Sequence, residues 1–314
     1  MNLSELEIIA RIRETFPGGA ELFDDCGALA PPPPGQRLLV TTDLMEEGQH
    51  FRMDWHPPAM LGRKLLMVNL SDLDASGASA TGFTLTLALG RDLDPLWLEG
   101  FLDGLGRAAR EAGVPVIGGD TVGRAAGLGL GITAFGTARR WLRRDAMAAG
   151  DRLYADQELG ASLRGLRKLL AGARWDPDRP DPDLAAHLDP SPDLGLGPRL
   201  AAIPEVHACI DISDGLSRDL RNLAQAAGLS VVLDPGLGPD AVEGGEDYAR
   251  CFSSPLPREE LQRLLGKTLI PVGLAVERTE APLLHYDGAR LRPYPDRAFD
   301  HFAKATAGAP PKHD

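Results

Sequence analysis

The stretch CIDISD at residues 209–214 sets Asp211, Ser213 and Asp214 within four positions at the end of an apolar run, just ahead of a helical pattern through Leu216, Leu220 and Leu223. Read as a strand over 208–213, its period of two sends Asp211 and Ser213 to one face, with Asp214 following at the carboxyl end, where open α/β sheets bind ligands. A second reading is open at this point: Ser213 or Asp214 caps the helix, since both residue types accept bonds from orphan helix amides. The same chemistry recurs along the chain. Asp24 and Asp25 precede CGAL, Thr41, Thr42 and Asp43 end LLVTTD, Asp72 lies in VNLSDLDASGA, and Asp120 ends VIGGD. All these sites use Asp rather than Glu, and short, hard carboxylates suit the octahedral oxygen shell of Mg²⁺. Asp24 and Asp74 read instead as cap or turn residues. Carboxylates gathered in one cleft repel one another, so cations or hydrogen bonds must compensate. Paired glycines in GGDT (118–121) and GGED (244–247) let backbone amides approach a phosphate or metal. The chain has no GxxxxGK[ST], no HRD with DFG and no GxGxxG opening a helix. Any nucleotide binding therefore has to depend heavily on metal.

The elements that would position these residues follow from composition and periodicity. At 314 residues, 43% of them hydrophobic, the chain suggests two domains, and no apolar run approaches the ~18 residues of a membrane span. A net charge of −12 repels nucleic acid, and repels ATP too unless divalent metal intervenes. Three widely spaced cysteines, Cys26, Cys209 and Cys251, fit neither a disulfide framework nor a zinc site and point to a reducing cytoplasm. The N-terminus reads as an amphipathic helix with a Ser4–Glu7 capping box rather than a targeting signal. Strands are expected at 37–42, 82–89, VPVIGGD and GLGLGITAFG, and helices at 58–70 and 95–112, a mixed α/β texture that the second half repeats. A soft boundary falls near residue 140. The Asp- and Pro-rich segment from Trp175 to Pro192 reads as an irregular surface excursion, and Pro31–Pro34 as a stiff loop.

Taken together and in this order, DDCGAL, TTDLMEEGQHF, VNLSDLDASGA, GGDT, LRRDAMAAGD, IDISDGLSRDL, GGEDY and FDHF resemble the thiamine-monophosphate kinase family from about residue 23 to 302. The resemblance implies a two-domain α/β protein. Residues 1–139 would form a domain that binds ATP and Mg²⁺ and dimerises, and 140–314 a domain adding metal, ATP and substrate contacts. It implies a homodimer that phosphorylates thiamine monophosphate to thiamine diphosphate with ATP and several Mg²⁺ ions, without nucleic-acid or membrane partners. Carried over by position, the metal ligands fall on Asp25, Thr41, Thr42, Asp43, Asp72, Asp120, Asp211 and Asp214. ATP contacts fall on Gly119, Asp120, Arg144 and Ser213, and acceptor contacts on His50, Glu246 and Phe299. Asp120, Asp211 and Arg144 are the candidate catalytic residues. An aromatic ring and a carboxylate suit a cationic thiazolium and its aminopyrimidine, while Arg144 in isolation reads as one of a solvated run with Arg139, Arg140 and Arg143. The chain departs from the family pattern in three places: Phe23 stands where glycine is usual, Val122-Gly123-Arg124 follows GGDT, and only nine residues separate VVLD (231–234) from GGEDY. Alternatives of other classes are a synthetase of the same superfold (aminoimidazole ribonucleotide, selenophosphate or hydrogenase-maturation type) and a non-catalytic metal-binding relative.

Overall fold

The computed structural model describes residues 4–22 and 26–295. Helix α1 (Glu5–Thr15) opens on the expected capping box: the Ser4 hydroxyl accepts from the Glu7 amide, and the Glu7 carboxylate accepts from the Ser4 amide. Strands β1 (Arg37–Glu46), β2 (Ser79–Gly90), β3 (Val116–Arg124) and β4 (Leu128–Ala138) form a four-stranded sheet in the order β1-β4-β2-β3. Only the β2–β3 pair is parallel, and its crossover is helix α3 (Pro95–Ala112). Helices α3 and α2 (Pro58–Ala75) cover one face of this sheet, burying Leu61, Leu65, Phe101 and Leu105 against Phe83, Leu85, Leu130 and Ile132. The two helices approach so closely that a Cβ on Gly62 would lie 2.2 Å from the Phe101 carbonyl oxygen and one on Gly104 2.1 Å from that of Ala59. Only glycine fits at either crossing point.

Among the described residues, no element covers the opposite face of the sheet. Period two sends Leu39, Thr41, Asp43 and Met45 of β1 toward the helices and Leu38, Val40, Thr42 and Leu44 outward. Leu38, Val40, Leu44 and, on β3, Val122 are 45–62% exposed.

The rest of the chain builds a seven-stranded sheet in the order β11-β10-β7-β9-β5-β8-β6. Its strands are β5 (Arg152–Ala155), β6 (Ala208–Asp211), β7 (Ser230–Leu233), β8 (Arg250–Ser254), β9 (Ile270–Val276), β10 (Leu283–Asp287) and β11 (Arg290–Pro293). Alternate residues feed two cores. Leu153, Ile210 and Cys251 pack with Leu216, Leu220 and Leu223 of α7 (Leu216–Ala227) on one side. Tyr154, Cys209 and Phe252 pack on the other with Leu196 and Leu200 of α6 (Leu196–Ala201) and Leu261 and Leu265 of α9 (Arg258–Leu265). Helices α4 (Ala161–Leu170), α5 (Pro182–Leu188) and α8 (Pro239–Glu243) complete the unit.

Helix α5 corrects the reading of Trp175–Pro192 as an irregular excursion. Asp181 caps it through the amides of Asp183 and Leu184, and Leu184, His187 and Leu188 are buried with Trp55 and Leu169. Density of Asp and Pro marked the turns and the cap but concealed the short apolar face. The two sheets are pinned together by Asp74 of α2, whose Oδ1 accepts from Arg250 Nε on β8 at 2.9 Å while its oxygens accept from the amides of Gly195 (2.5 Å) and Gly197 (2.8 Å) at the start of α6. Asp74 thus caps a helix other than its own. No helix among the described residues is long and apolar enough to cross a membrane.

Candidate active site

Helix α2 is the hub of the acidic cluster. Three of its residues reach one strand of each sheet: on β1, Asn69 Oδ1 accepts from the Asp43 amide (3.1 Å) and Asp72 Oδ2 accepts from the Thr41 hydroxyl (2.5 Å), and the Ser71 hydroxyl donates to Asp211 Oδ2 at the end of β6 (2.8 Å). Consecutive helical positions fan out by about 100°, so one turn can face a strand from each sheet. The result brings Asp43, Asp72 and Asp211 together. Burial and the neighbouring carboxylates push all three up from 3.8: Asp43 to about 6, with Asp211 and Asp214 adding to burial; Asp72 to about 6, with Asp43 adding; and Asp211 to about 7, with Asp72 adding. Such groups hold protons for want of another cation. Among the described residues no three His, Cys, Asp or Glu side chains already converge on one point as a closed metal cage. An open set of hard oxygen donors nevertheless fits Mg²⁺, which keeps several waters and takes further oxygens from bound phosphates.

Asp72, Asp211, Thr41 and Arg144 line one cavity of about 680 Å³ whose remaining wall includes Leu38, Leu39, Val40, Trp141 and Leu142. The basic run divides its tasks. Arg140 donates to the carbonyls of Ile203 and Val206, Arg143 pairs with Asp145 at 2.5 Å and lies over the Trp141 ring, and Arg144 faces the cavity, where its charge opposes the rise of Asp72 and Asp211.

The expected strand at 208–213 stops at Asp211. The turn after it is not closed by a side-chain cap: α7 starts at Gly215 (φ 113°), with neither Ser213 nor Asp214 bonded to its amides. Asp214 is half exposed and reaches Arg218 at 3.6 Å. Buried Asp219, which sequence reasoning passed over within the GLSRDL motif, instead accepts from the Ser213 amide at 3.1 Å. The GGEDY segment is clasped to this turn, Glu246 N–H donating to Ser213 O and Tyr248 N–H to Ile212 O, both at 2.8 Å. Glu246 (φ 58°) and Tyr248 (φ 49°) take the left-handed conformation, at a cost on the order of 1 kcal/mol each. Asp247 offsets this by accepting from the amides of Gly160 (2.6 Å) and Ser162 (3.3 Å).

Two predicted ligands point elsewhere. The Thr42 hydroxyl donates to Ile132 O and accepts from Thr133, and Asp120 is exposed on edge strand β3 in register with Thr86. Both lie on the open sheet face, opposite Thr41 and Asp43. The alternation of a strand carried this signal, because Thr41 and Thr42 cannot face the same way. Gly119 is exposed and lies so close to β2 that a Cβ on it would meet Leu85 O at 2.2 Å. His50 accepts through Nδ1 from the Glu46 amide at 3.0 Å, and Glu246 meets buried Lys64 and His187. The Phe51 ring contacts that of His56, which in turn lies 6.0 Å from that of His187. Asp25 and Phe299 lie outside the described residues.

Residues 23–138 match the family described as AIR synthase related protein, N-terminal domain. The thiamine-monophosphate kinase of Synechococcus elongatus is 33% identical, with 90% of this chain and 92% of that protein covered. Among solved structures, thiamine-monophosphate kinase from Stenotrophomonas maltophilia K279a aligns with a TM-score of 0.75 at 30% identity, covering 92% of this chain and 98% of that one. A structure described as AaThiL complexed with AMPPCP and TMP aligns with a TM-score of 0.74 at 26% identity, covering 96% and 99%. Sequence identity of this level, sustained over nine-tenths of both proteins and matched by the fold, assigns the chain: it belongs to the thiamine-monophosphate kinase family.

Proposed function

We propose that the chain transfers the γ-phosphoryl group of ATP to thiamine monophosphate, giving thiamine diphosphate and ADP, in the cleft between the two sheets. The observation that carries the reading is the meeting of Asp43, Asp72 and Asp211 with Arg144 beside a cavity of about 680 Å³. Kinase names among the relatives, and a solved relative described as complexed with AMPPCP and TMP, support this over a synthetase of the same superfold. A phosphate monoester is largely a dianion near neutral pH, so the attacking oxygen needs no general base and no residue is assigned one. Bringing two such anions into line requires charge neutralisation. Asp43, Asp72, Asp211 and Asp214 would hold Mg²⁺ on the cleft side, which when bound would supply positive charge to offset that of the phosphoryl oxygens. Arg144 binds phosphate oxygens bidentately, Ser213 and Gly119 approach the nucleotide, and His50, Glu246 and Phe299 hold the acceptor. Transfer is direct and in line, without a phospho-enzyme.

The division of labour we propose puts ATP, metal and dimer contacts in residues 1–139 and further metal, ATP and substrate contacts in 140–314. The open sheet face supports a homodimer: Leu38, Val40, Leu44 and Val122 are apolar and exposed, and burying them on a second copy would remove that surface from water. Thr42 and Asp120 lie on the same face, so pairing would carry these two ligands toward a partner's cleft. Three unpaired cysteines, two of them buried, fit a reducing cytoplasm. Purified protein with Mg²⁺-ATP and a panel of thiamine monophosphate, free thiamine, formylglycinamidine ribonucleotide and selenide tests the reading. Thiamine monophosphate should be the substrate consumed. Comparable kcat/KM for free thiamine, or turnover of another panel member, would refute it.

A further inference from the structure

The Glu246 carboxylate is held by two residues that no part of the phosphoryl-transfer chemistry uses. Lys64, on α2, is completely buried, and its ammonium donates to the His187 carbonyl at 2.8 Å and lies 3.2 Å from Glu246 Oε1 and 3.3 Å from Oε2. His187, on α5, is also buried, with Nδ1 at 3.1 Å from Glu246 Oε2 and 3.1 Å from the Ser162 hydroxyl. A buried ammonium is tolerated only when its hydrogen bonds are met, and here an anion from a third element meets them. The backbone of Glu246 is fixed as well, by its positive φ and its amide bond to Ser213 O. Backbone and carboxylate are therefore both set before any ligand arrives, while the side chain keeps 26% of its surface open. His56 packs its ring 6.0 Å from that of His187, and burial, with the nearby charge of Lys64, holds its imidazole well below the usual histidine range. It contributes shape to the cluster rather than a second positive charge.

From this arrangement we infer that Lys64 and His187 are positioning residues for the acceptor: they fix both oxygens of the Glu246 carboxylate so that its open edge meets an amine-bearing heteroaromatic acceptor in a single orientation. The inference rests on the reading of Glu246 as an acceptor contact. With the negative charge of Glu246 balanced by Lys64, the site selects by hydrogen-bond direction more than by attraction to any cation. Helix α5, from the Asp- and Pro-rich segment, thereby takes part in substrate choice.

Steady-state kinetics on the full-length enzyme test this with thiamine monophosphate and ATP varied separately. His187→Leu removes the Nδ1 partner, whereas His187→Asn places an amide nitrogen near the same point. Expected is a rise of about tenfold or more in the KM for thiamine monophosphate in His187→Leu and Lys64→Met, the scale of one lost charge-assisted hydrogen bond. The KM for ATP should stay within about twofold, kcat should change less than KM, and His187→Asn should recover most of the loss. If Lys64→Met fails to fold, the His187 pair decides. An unchanged acceptor KM in folded His187→Leu, or equal losses for both substrates, would overturn the inference. Glu246→Gln separates the two levels: a raised acceptor KM there with none in His187→Leu removes only the positioning step, while an unchanged KM in Glu246→Gln removes the acceptor reading along with it.

Discussion

Replacing Asp211 with Asn should make the metal-free protein more stable while disabling it. Asp211 is 3% exposed, and its carboxyl is pushed from 3.8 to about 7, first by burial and then by Asp72. A folded-state pKa above the unfolded one means that the native protein binds more protons between pH ~4 and ~7, so stability falls as pH rises through that window and levels off above it. At about 1.4 kcal/mol for each pH unit, keeping Asp211 ionised at pH 8 costs the metal-free fold on the order of 4 kcal/mol. Asn keeps an oxygen to accept from Ser71 and removes the charge, so a gain of roughly 2–4 kcal/mol is expected at pH 8, with the two proteins converging near pH 4. Asp43 and Asp72 retain a smaller slope of the same sign. Urea melts in EDTA at pH 5 and pH 8 read this directly. Mg²⁺ with a non-hydrolysable ATP analogue should then stabilise the wild type far more than the variant, and turnover in the variant should fall at least ~10²-fold. An Asn variant less stable than wild type at pH 8 in EDTA, or a wild type whose stability is flat from pH 5 to 8, would refute the reasoning.

Asp120→Asn should lower turnover at least ~10²-fold with an unchanged melting temperature, since Asp120 is exposed on an edge strand; near-normal activity would remove it from the metal set. Val40→Glu, at a position 62% exposed on the open sheet face, should shift the protein toward monomer in analytical ultracentrifugation, and an unaltered dimer would place the interface elsewhere. Asp74→Ala removes the carboxylate that the buried Arg250 guanidinium pairs with and frees the amides of Gly195 and Gly197. It should cost roughly 3–5 kcal/mol by denaturant titration, whereas a loss below ~1 kcal/mol would mean that the pin between the sheets is not structural.

Much of this was readable from residue order. Helix 95–112 has the expected bounds, and the Ser4–Glu7 box forms as spelled. Strand β1 and helix α2 each run a few residues beyond the expected 42 and 70, because tertiary packing extends elements whose ends carry polar residues such as Asp43 and Asp72. The basic residues inside the protein were hidden for a different reason. Lys64 and Arg250 look like solvated positions in a one-dimensional reading, and only pairing with Glu246 and Asp74, 182 and 176 residues away in sequence, makes their burial tolerable. Lys64 did carry a faint signal, since it directly precedes the apolar run LLMV within helix α2. The turn after β6 went unread because a glycine with φ 113° starts α7, leaving Ser213 and Asp214 no amide to cap.

The two-sided character of β1 has a consequence for how such a gene can change. Loss or gain of a single codon between Val40 and Asp43 would slide the downstream residues by one place, and in a strand one place is the difference between inside and outside. Thr41 and Asp43 would exchange surroundings with their neighbours, sending an apolar side chain toward Asp72 and a carboxylate onto the outer surface, so one event would damage both surfaces at once. Insertions in the exposed proline loop at 31–36, directly upstream, alter only the length of a connection. Length variation among functional versions of this protein should therefore accumulate before Arg37 and be absent from the strand that follows.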